Sequence, residues 1–127
     1  MKEAVSKWIQ KAEEDFKTVE ILLANDDYAP SIVCYHCQQT AEKYLKAFLL
    51  FLNVEFTKTH DLLELLDNLI IPVNPEFEII REEAIILTDY AIGTRYPDFL
   101  FDPTRETAVE AYEAAQKIRK LVLRLLG

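Results

Sequence analysis

Four polar side chains at helical spacing offer the clearest chemistry in this chain. Successive residues of a helix lie ~100° apart, so steps of three and four residues share one face. His36, Gln39, Lys43 and Lys46 are spaced in this way. Imidazole, amide and ammonium groups can hold a phosphate or the edge of a nucleobase by hydrogen bonds. Alternatively, the row is a packed helix flank whose lysines pair with Glu42 or with acids of the next helix.

Two further stretches carry groups of the same kind. His60 and Asp61 stand where a third helix should begin, and Thr59 or Asp61 could cap it. His60 could then be a buried histidine that bonds the backbone, or it could join the pocket of the lysines. Arg95 and Tyr96 belong to an aromatic-rich loop, residues 94–101, of a kind that often carries function. Arg95 could meet a phosphate and Tyr96 could stack a base. The loop could equally plug the end of the fold or contact a dimer partner.

The two cysteines, Cys34 and Cys37, flank a short Tyr-His pair. A thioredoxin-type redox pair would need a preceding strand and a thiol at a helix N-terminus. A zinc site with His36 would lack a fourth ligand unless His60 approached. We therefore expect free, buried cysteines that behave as small apolar residues, with no metal and no other cofactor.

Five helices should position these groups. Half of the 127 residues are hydrophobic and only two are glycine, which favours helices over turn-rich strands. We expect an all-α fold, an antiparallel up-and-down bundle of about five helices, four long and one short, in a single domain of residues 1–127. The periodic segments cover roughly 3–25, 30–53, 60–70, 76–92 and 103–126.

The second helix should lie at the centre of this bundle. Its apolar arc, which runs from Val33 through Tyr44 to Phe51, covers nearly half of the helix circumference. An arc this wide predicts packing on more than one flank. Asn53 is a plausible stop for the helix.

The last helix has a clear predicted start. Asp102 should be its N-cap and Pro103 its first helical residue. The apolar spacing then buries Val109, Ile118 and Val122.

The charge balance limits the partners of the chain. Its formal net charge is −8 and its isoelectric point is about 4.7. Broad nucleic-acid binding needs basic surface, so we do not expect it, although a local basic pocket is compatible with this balance. We see no membrane span and no signal-peptide hydrophobic region, so we expect a cytoplasmic protein with reduced cysteines.

Three stretches of the chain resemble motifs of the HEPN domain family. CYHCQQTAEKYLKAFL is similar to the family's aromatic/His-x-x-Gln-Gln-x-x-Glu-Lys-x-x-Lys-Ala run, KTHDLLELL to its Thr-His-x-Leu segment, and TRYPD to its Arg-Tyr-Pro segment. The resemblance implies an antiparallel helical bundle that often dimerises. It also implies a nucleotidyltransferase-like partner, in a toxin–antitoxin or regulatory pair, or else a metal-independent ribonuclease.

The sequence departs from the ribonuclease branch of that family. The branch is recognised by an arginine, then four to six residues, then a histidine. Before His36 and His60, the required positions read Ala-Pro-Ser and Asn-Val-Glu. We therefore expect a non-catalytic module that forms a homodimer, pairs with a nucleotidyltransferase-like protein and could bind a nucleotide or RNA. The alternatives are a ribonuclease with a rearranged site, in which Arg95 reaches His36 or His60, and a purely structural dimerisation module.

Overall fold

The computed structural model describes residues 2–90 and 102–127, and all regular structure in these ranges is helical. The predicted all-α class is confirmed. The α-helices are α1 (Glu3–Leu23), α2 (Pro30–Phe51), α3 (Leu62–Glu64), α4 (Arg81–Leu87) and α5 (Arg105–Leu126). A π-helical segment, Leu65–Ile70, continues α3, and a 3₁₀ segment, Pro75–Ile80, precedes α4.

Contacts along the long helices give their directions. Lys2 at the start of α1 donates to the carbonyl of Leu50 at the end of α2, 3.2 Å away. The two helices are therefore antiparallel, as the short connection between them predicts. Arg105 at the start of α5 bonds the carbonyl of Asp26, which follows the end of α1, so α5 is also antiparallel to α1.

Helix α2 lies between α1 and α5 and supplies the centre of the core. Fourteen of its 22 residues are buried, including Val33 and Tyr44, which confirms the predicted wide arc. Phe51 is a correction, because it is 39% exposed at the last turn of the helix, although its ring still contacts Phe48.

The end of α2 follows the predicted stop. Asn53 adopts a left-handed conformation with φ of 60°, which asparagine tolerates better than most residues. Its amide donates to Leu50 and that of Val54 donates to Leu49, so the pair closes a Schellman motif. The start of α3 is also as predicted, since the Asp61 side chain accepts from the amides of Leu63 and Glu64 at 3.0 and 3.3 Å.

Helix α5 differs from its prediction in its start and in its buried face. Thr104, not Asp102, caps it, and the Thr104 hydroxyl accepts from the Thr107 amide at 3.1 Å. Val109 is 44% exposed, whereas alanines form the buried face in the N-terminal half of α5. Those alanines are Ala108, Ala111, Ala114 and Ala115. The apolar spacing also predicted Ala115 to be buried, which is confirmed, but it did not single out Ala108, Ala111 and Ala114, because a small side chain gives a weak hydrophobic signal.

The fourth predicted helix is divided. Pro75 begins the 3₁₀ segment, with the Asn74 side chain accepting from the Glu76 amide. Ile80 then leaves helical geometry before α4 begins at Arg81. None of the helices in residues 2–90 and 102–127 combines the length and apolar composition needed to cross a membrane.

Candidate functional site

Asp15 of α1 joins two members of the polar row on α2. His36 Nδ1 lies 2.8 Å from its Oδ1, and Lys43 donates to its Oδ2. Since a carboxylate only accepts, the imidazole must donate from Nδ1. Burial opposes the charged form of Asp15, but the hydrogen bonds and positive charges of His36 and Lys43 outweigh it. The pKa of this carboxyl therefore lies below its usual range.

Lys46, in contrast, turns into the protein. It is 5% exposed, and its Nζ donates to Glu42 Oε2 at 3.0 Å. The same ammonium lies over the rings of Trp8 and Phe56, 5.7 and 5.6 Å from their centroids. These aromatic faces stabilise a cation that burial would otherwise penalise.

Gln39 and His60 join the same buried carboxylate through a chain of hydrogen bonds. Gln39 donates to Gln38 at 2.7 Å, and Gln38 donates to Glu42 Oε1 at 3.0 Å and to the His60 carbonyl at 2.8 Å. His60 Nδ1 lies 2.9 Å from Glu42 Oε1. We call the buried residues Gln38, Gln39, Glu42 and Lys46, together with the half-exposed His60, the buried polar chain.

The structure thus divides the predicted row. His36 and Lys43 meet at Asp15, whereas Gln39 and Lys46 belong to the buried polar chain, which also includes His60. Arg95 and Tyr96 lie outside the residues that the structure describes, and their role stays a prediction. His60 also lines a separate pocket of about 290 Å³ with Thr59, Asp61, Thr88 and Asp89. Its two aspartates disfavour an anion there.

Lys43 lines a pocket of a different character, which we call the Lys43 pocket. Its walls are Lys7, Trp8, Lys11 and Lys43, around about 370 Å³. Lys7 pairs with Glu3 at 3.7 Å and Lys11 with Glu14 at 3.3 Å. Both are exposed ion pairs, which contribute little and exchange readily for a better anion.

Sequence reasoning missed three of these four residues. It singled out Lys43 but not Lys7, Trp8 or Lys11. A signal was nevertheless present, because two lysines four residues apart bracket the chain's one tryptophan on a single helix turn.

Comparisons with known proteins agree with this architecture. The family model for the HEPN domain matches residues 5–125. The chain belongs to the HEPN domain family. It is 27% identical to an archaeal protein described as a HEPN homologue, with a TM-score of 0.77 and 100% of both chains covered. It is 31% identical to a protein from Thermus thermophilus, with a TM-score of 0.82 and 97% and 98% of the two chains covered. No curated protein matches.

In this HEPN chain, two of the three motif stretches meet in the buried polar chain. Gln38, Glu42 and Lys46 come from the motif on α2, and His60 comes from the motif before α3. Gln38, Glu42 and Lys46 are buried, whereas the His60 side chain is 50% exposed and reaches Glu42 from the surface. Their contacts therefore tie α2 to the connector that precedes α3.

The cysteines occupy the core, as predicted. Cys34 and Cys37 are free and buried. Burial, with a smaller contribution from Glu110, raises the pKa of the Cys34 thiol to about 12, and burial raises that of Cys37 as well. Both thiols are protonated near neutral pH and are poor nucleophiles. Within residues 2–90 and 102–127, no group of three His, Cys, Asp or Glu side chains is placed to hold a metal ion.

The buried ion pair between Lys46 and Glu42 should be strongly coupled. Lys46→Met leaves a buried carboxylate without its cation, and we expect a loss of about 3–5 kcal/mol in the free energy of unfolding. Adding Glu42→Gln removes that charge but keeps an acceptor for Gln38 and His60, so the double variant should recover part of the loss. Urea denaturation of both single variants and the double variant measures the coupling.

Lys7→Met is the matched control, since Lys7 also pairs with a glutamate four residues away, but at the surface. Its effect should stay within about 0.5 kcal/mol. Equal losses for Lys7→Met and Lys46→Met would contradict the argument.

Asp15 should make the stability depend on acid pH. Its folded pKa lies below the ordinary value of 3.8, so its contribution is fully present above that value and is lost as pH falls through the folded pKa. Asp15→Asn should therefore lower stability near neutral pH. The difference from the wild type should shrink below about pH 4. Urea denaturation across this pH range measures it, and Glu3→Gln, at an exposed carboxylate, should show no comparable trend.

Proposed function

We propose that this HEPN chain is a non-catalytic binding module that holds a nucleotide in the Lys43 pocket and pairs with a nucleotidyltransferase-like protein. The Lys43 pocket is the observation that supports nucleotide binding. It combines three ammonium groups with an indole in a chain of net charge −8.

The walls of the pocket suit a phosphate attached to a ring. An ammonium group has three hydrogen-bond donors, and Lys43 uses one of them on Asp15. The indole of Trp8 offers an aromatic surface on which a base can stack, an interaction that tolerates any base. The volume of about 370 Å³ lies at the small end of the usual range for ligand pockets, about 300–1,000 Å³.

The surrounding charge favours a small ligand over a long nucleic acid. A local cationic pocket attracts phosphate at short range, whereas the net negative charge repels an extended polyanion. A mononucleotide presents its phosphates to the lysines without placing further phosphates on acidic surface. The same balance argues against duplex nucleic acid as the ligand.

The sequence favours binding over catalysis. It lacks the arginine that precedes the histidine in the ribonuclease branch. No cofactor is needed for a module of this kind.

The partner half of the proposal rests on the motifs shared with family members that pair with a minimal nucleotidyltransferase. Co-expression with the products of adjacent genes tests it. A stable complex with a nucleotidyltransferase-like protein is expected. A chain that purifies alone from every such co-expression would contradict this half.

Trp8 makes the nucleotide half directly measurable. It is the only tryptophan in the chain, so its fluorescence reports on the pocket without a label. We expect ATP to quench it in a saturable, salt-dependent way. Lys11→Gln and Lys43→Gln should each weaken the affinity roughly two- to fivefold, as expected for exposed or half-exposed charges.

Lys17→Gln is the control, since Lys17 lies on the same helix, is exposed and is not among the pocket's lining residues. Inorganic triphosphate should compete with ATP, which separates the phosphate contacts from stacking. Unchanged Trp8 fluorescence at millimolar ATP would contradict nucleotide binding in this pocket. So would a loss of ATP affinity in Lys17→Gln equal to that in Lys11→Gln and Lys43→Gln.

One observation favours a second candidate, a metal-independent ribonuclease with a rearranged site. His36 and Lys43 both contact the carboxylate of Asp15, so an imidazole that could act as a general base lies close to a cation. Incubation with RNA in EDTA decides between the two. The binding module leaves RNA intact, whereas cleavage that His36→Ala abolishes and His60→Ala spares would establish the ribonuclease.

A further inference from the structure

A second cationic surface lies on α5, away from every residue of the Lys43 pocket. Its lining, which we call the α5 groove, encloses about 400 Å³ between the 3₁₀ segment and the last turns of α5. The lining residues are Ile79, Ile80, Lys117, Lys120, Leu121 and Arg124.

The groove has an apolar floor and an exposed apolar rim. Ile80 and Leu121 are buried beneath it. Ile79, on the rim, is 65% exposed, the largest exposed fraction among the large hydrophobic residues that the structure describes. Exposed aliphatic surface beside buried aliphatic surface is the arrangement expected where a partner side chain completes the packing.

Three cations border this apolar floor along one side of α5. Lys117 lies 3.6 Å from Glu83, and Arg124 bonds Glu76. Within the described ranges, Lys120 has no carboxylate at ion-pairing distance. Seven residues separate Lys117 from Arg124, so the cations follow the helix over about 10 Å.

We propose that the α5 groove docks an acidic segment of a partner protein, one that inserts an aliphatic or aromatic side chain between Ile79 and Leu121. A single phosphate would use one cation and leave the apolar floor empty. A single-stranded RNA would want an aromatic stacking surface, and the lining has none. Carboxylates spaced along a peptide match the row of cations, and an apolar anchor fills the floor.

The inference is independent of nucleotide binding, because the α5 groove and the Lys43 pocket share no residue. It also does not depend on which protein supplies the segment. Failure at one surface therefore leaves the other unaffected.

Selection from a display library of random peptides against the intact chain tests the proposal. The enriched peptides should be rich in Asp and Glu and should share a bulky apolar residue. Fluorescence polarisation of one labelled, enriched peptide should show at least about tenfold weaker binding to Lys120→Glu and to Ile79→Ser. Both residues are exposed, so both variants should keep the wild-type thermal unfolding temperature.

Two controls match these variants. Ile85→Ser changes an isoleucine that is also exposed but lies outside the groove, and Lys17→Glu reverses a charge on α1. Neither should affect peptide binding. Peptides that bind Lys120→Glu and Ile79→Ser as tightly as the wild type would overturn the proposal. Selected peptides rich in Lys and Arg, or a selection that enriches no peptide, would also overturn it. Self-association lost in Ile79→Ser would show instead that the groove binds a second copy of this chain.

Discussion

The carboxylate of Glu42 is the constraint on which the rest of the fold depends. It is 4% exposed, and it accepts from Gln38 and Lys46 on its own helix and from His60 beyond the connector. A buried charge is tolerated only when each oxygen finds a partner. The connector must therefore return to α2 at one register, and that register sets where α3 begins. The ring and the backbone carbonyl of His60 are both held in this way, which leaves the start of α3 little freedom.

Periodicity was enough to predict α1, α2, α5 and several helix ends, but not the division of the fourth predicted helix into a 3₁₀ segment and α4. The caps at Asp61 and Asn53 are local, since each depends on backbone groups within a few residues, and both were predicted correctly. The buried cysteines also follow from the apolar arc of one helix. The predicted burial of Val109 was wrong, because alanines form the buried face in this part of α5. The predicted start of α5 was wrong although its cap is equally local, since Thr104 and not Asp102 accepts from the Thr107 amide.

The division of the polar row could not be predicted from one helix alone. A helical wheel places Lys43 and Lys46 close together, but their partners lie on other elements. Asp15 holds Lys43 near the surface, whereas Trp8 and Phe56 shelter Lys46. Such contacts join residues far apart in sequence, so they follow from the packing angle of α1 on α2. The same packing places Trp8 beside Lys7, Lys11 and Lys43 and so forms the Lys43 pocket.

The buried alanines of α5 limit which amino-acid substitutions this helix can tolerate. Ala108, Ala111, Ala114 and Ala115 are all buried, and they mark a seam along which α5 faces the rest of the bundle. Because protein interiors are close-packed, an added methyl or isopropyl group at this seam should cost roughly 1–3 kcal/mol through overpacking. Amino-acid exchange should therefore be tolerated on the outer side of α5 and resisted along the seam. The three cations of the α5 groove are exposed and lie on that more permissive side, so this helix can change its binding preference while its backbone position stays fixed.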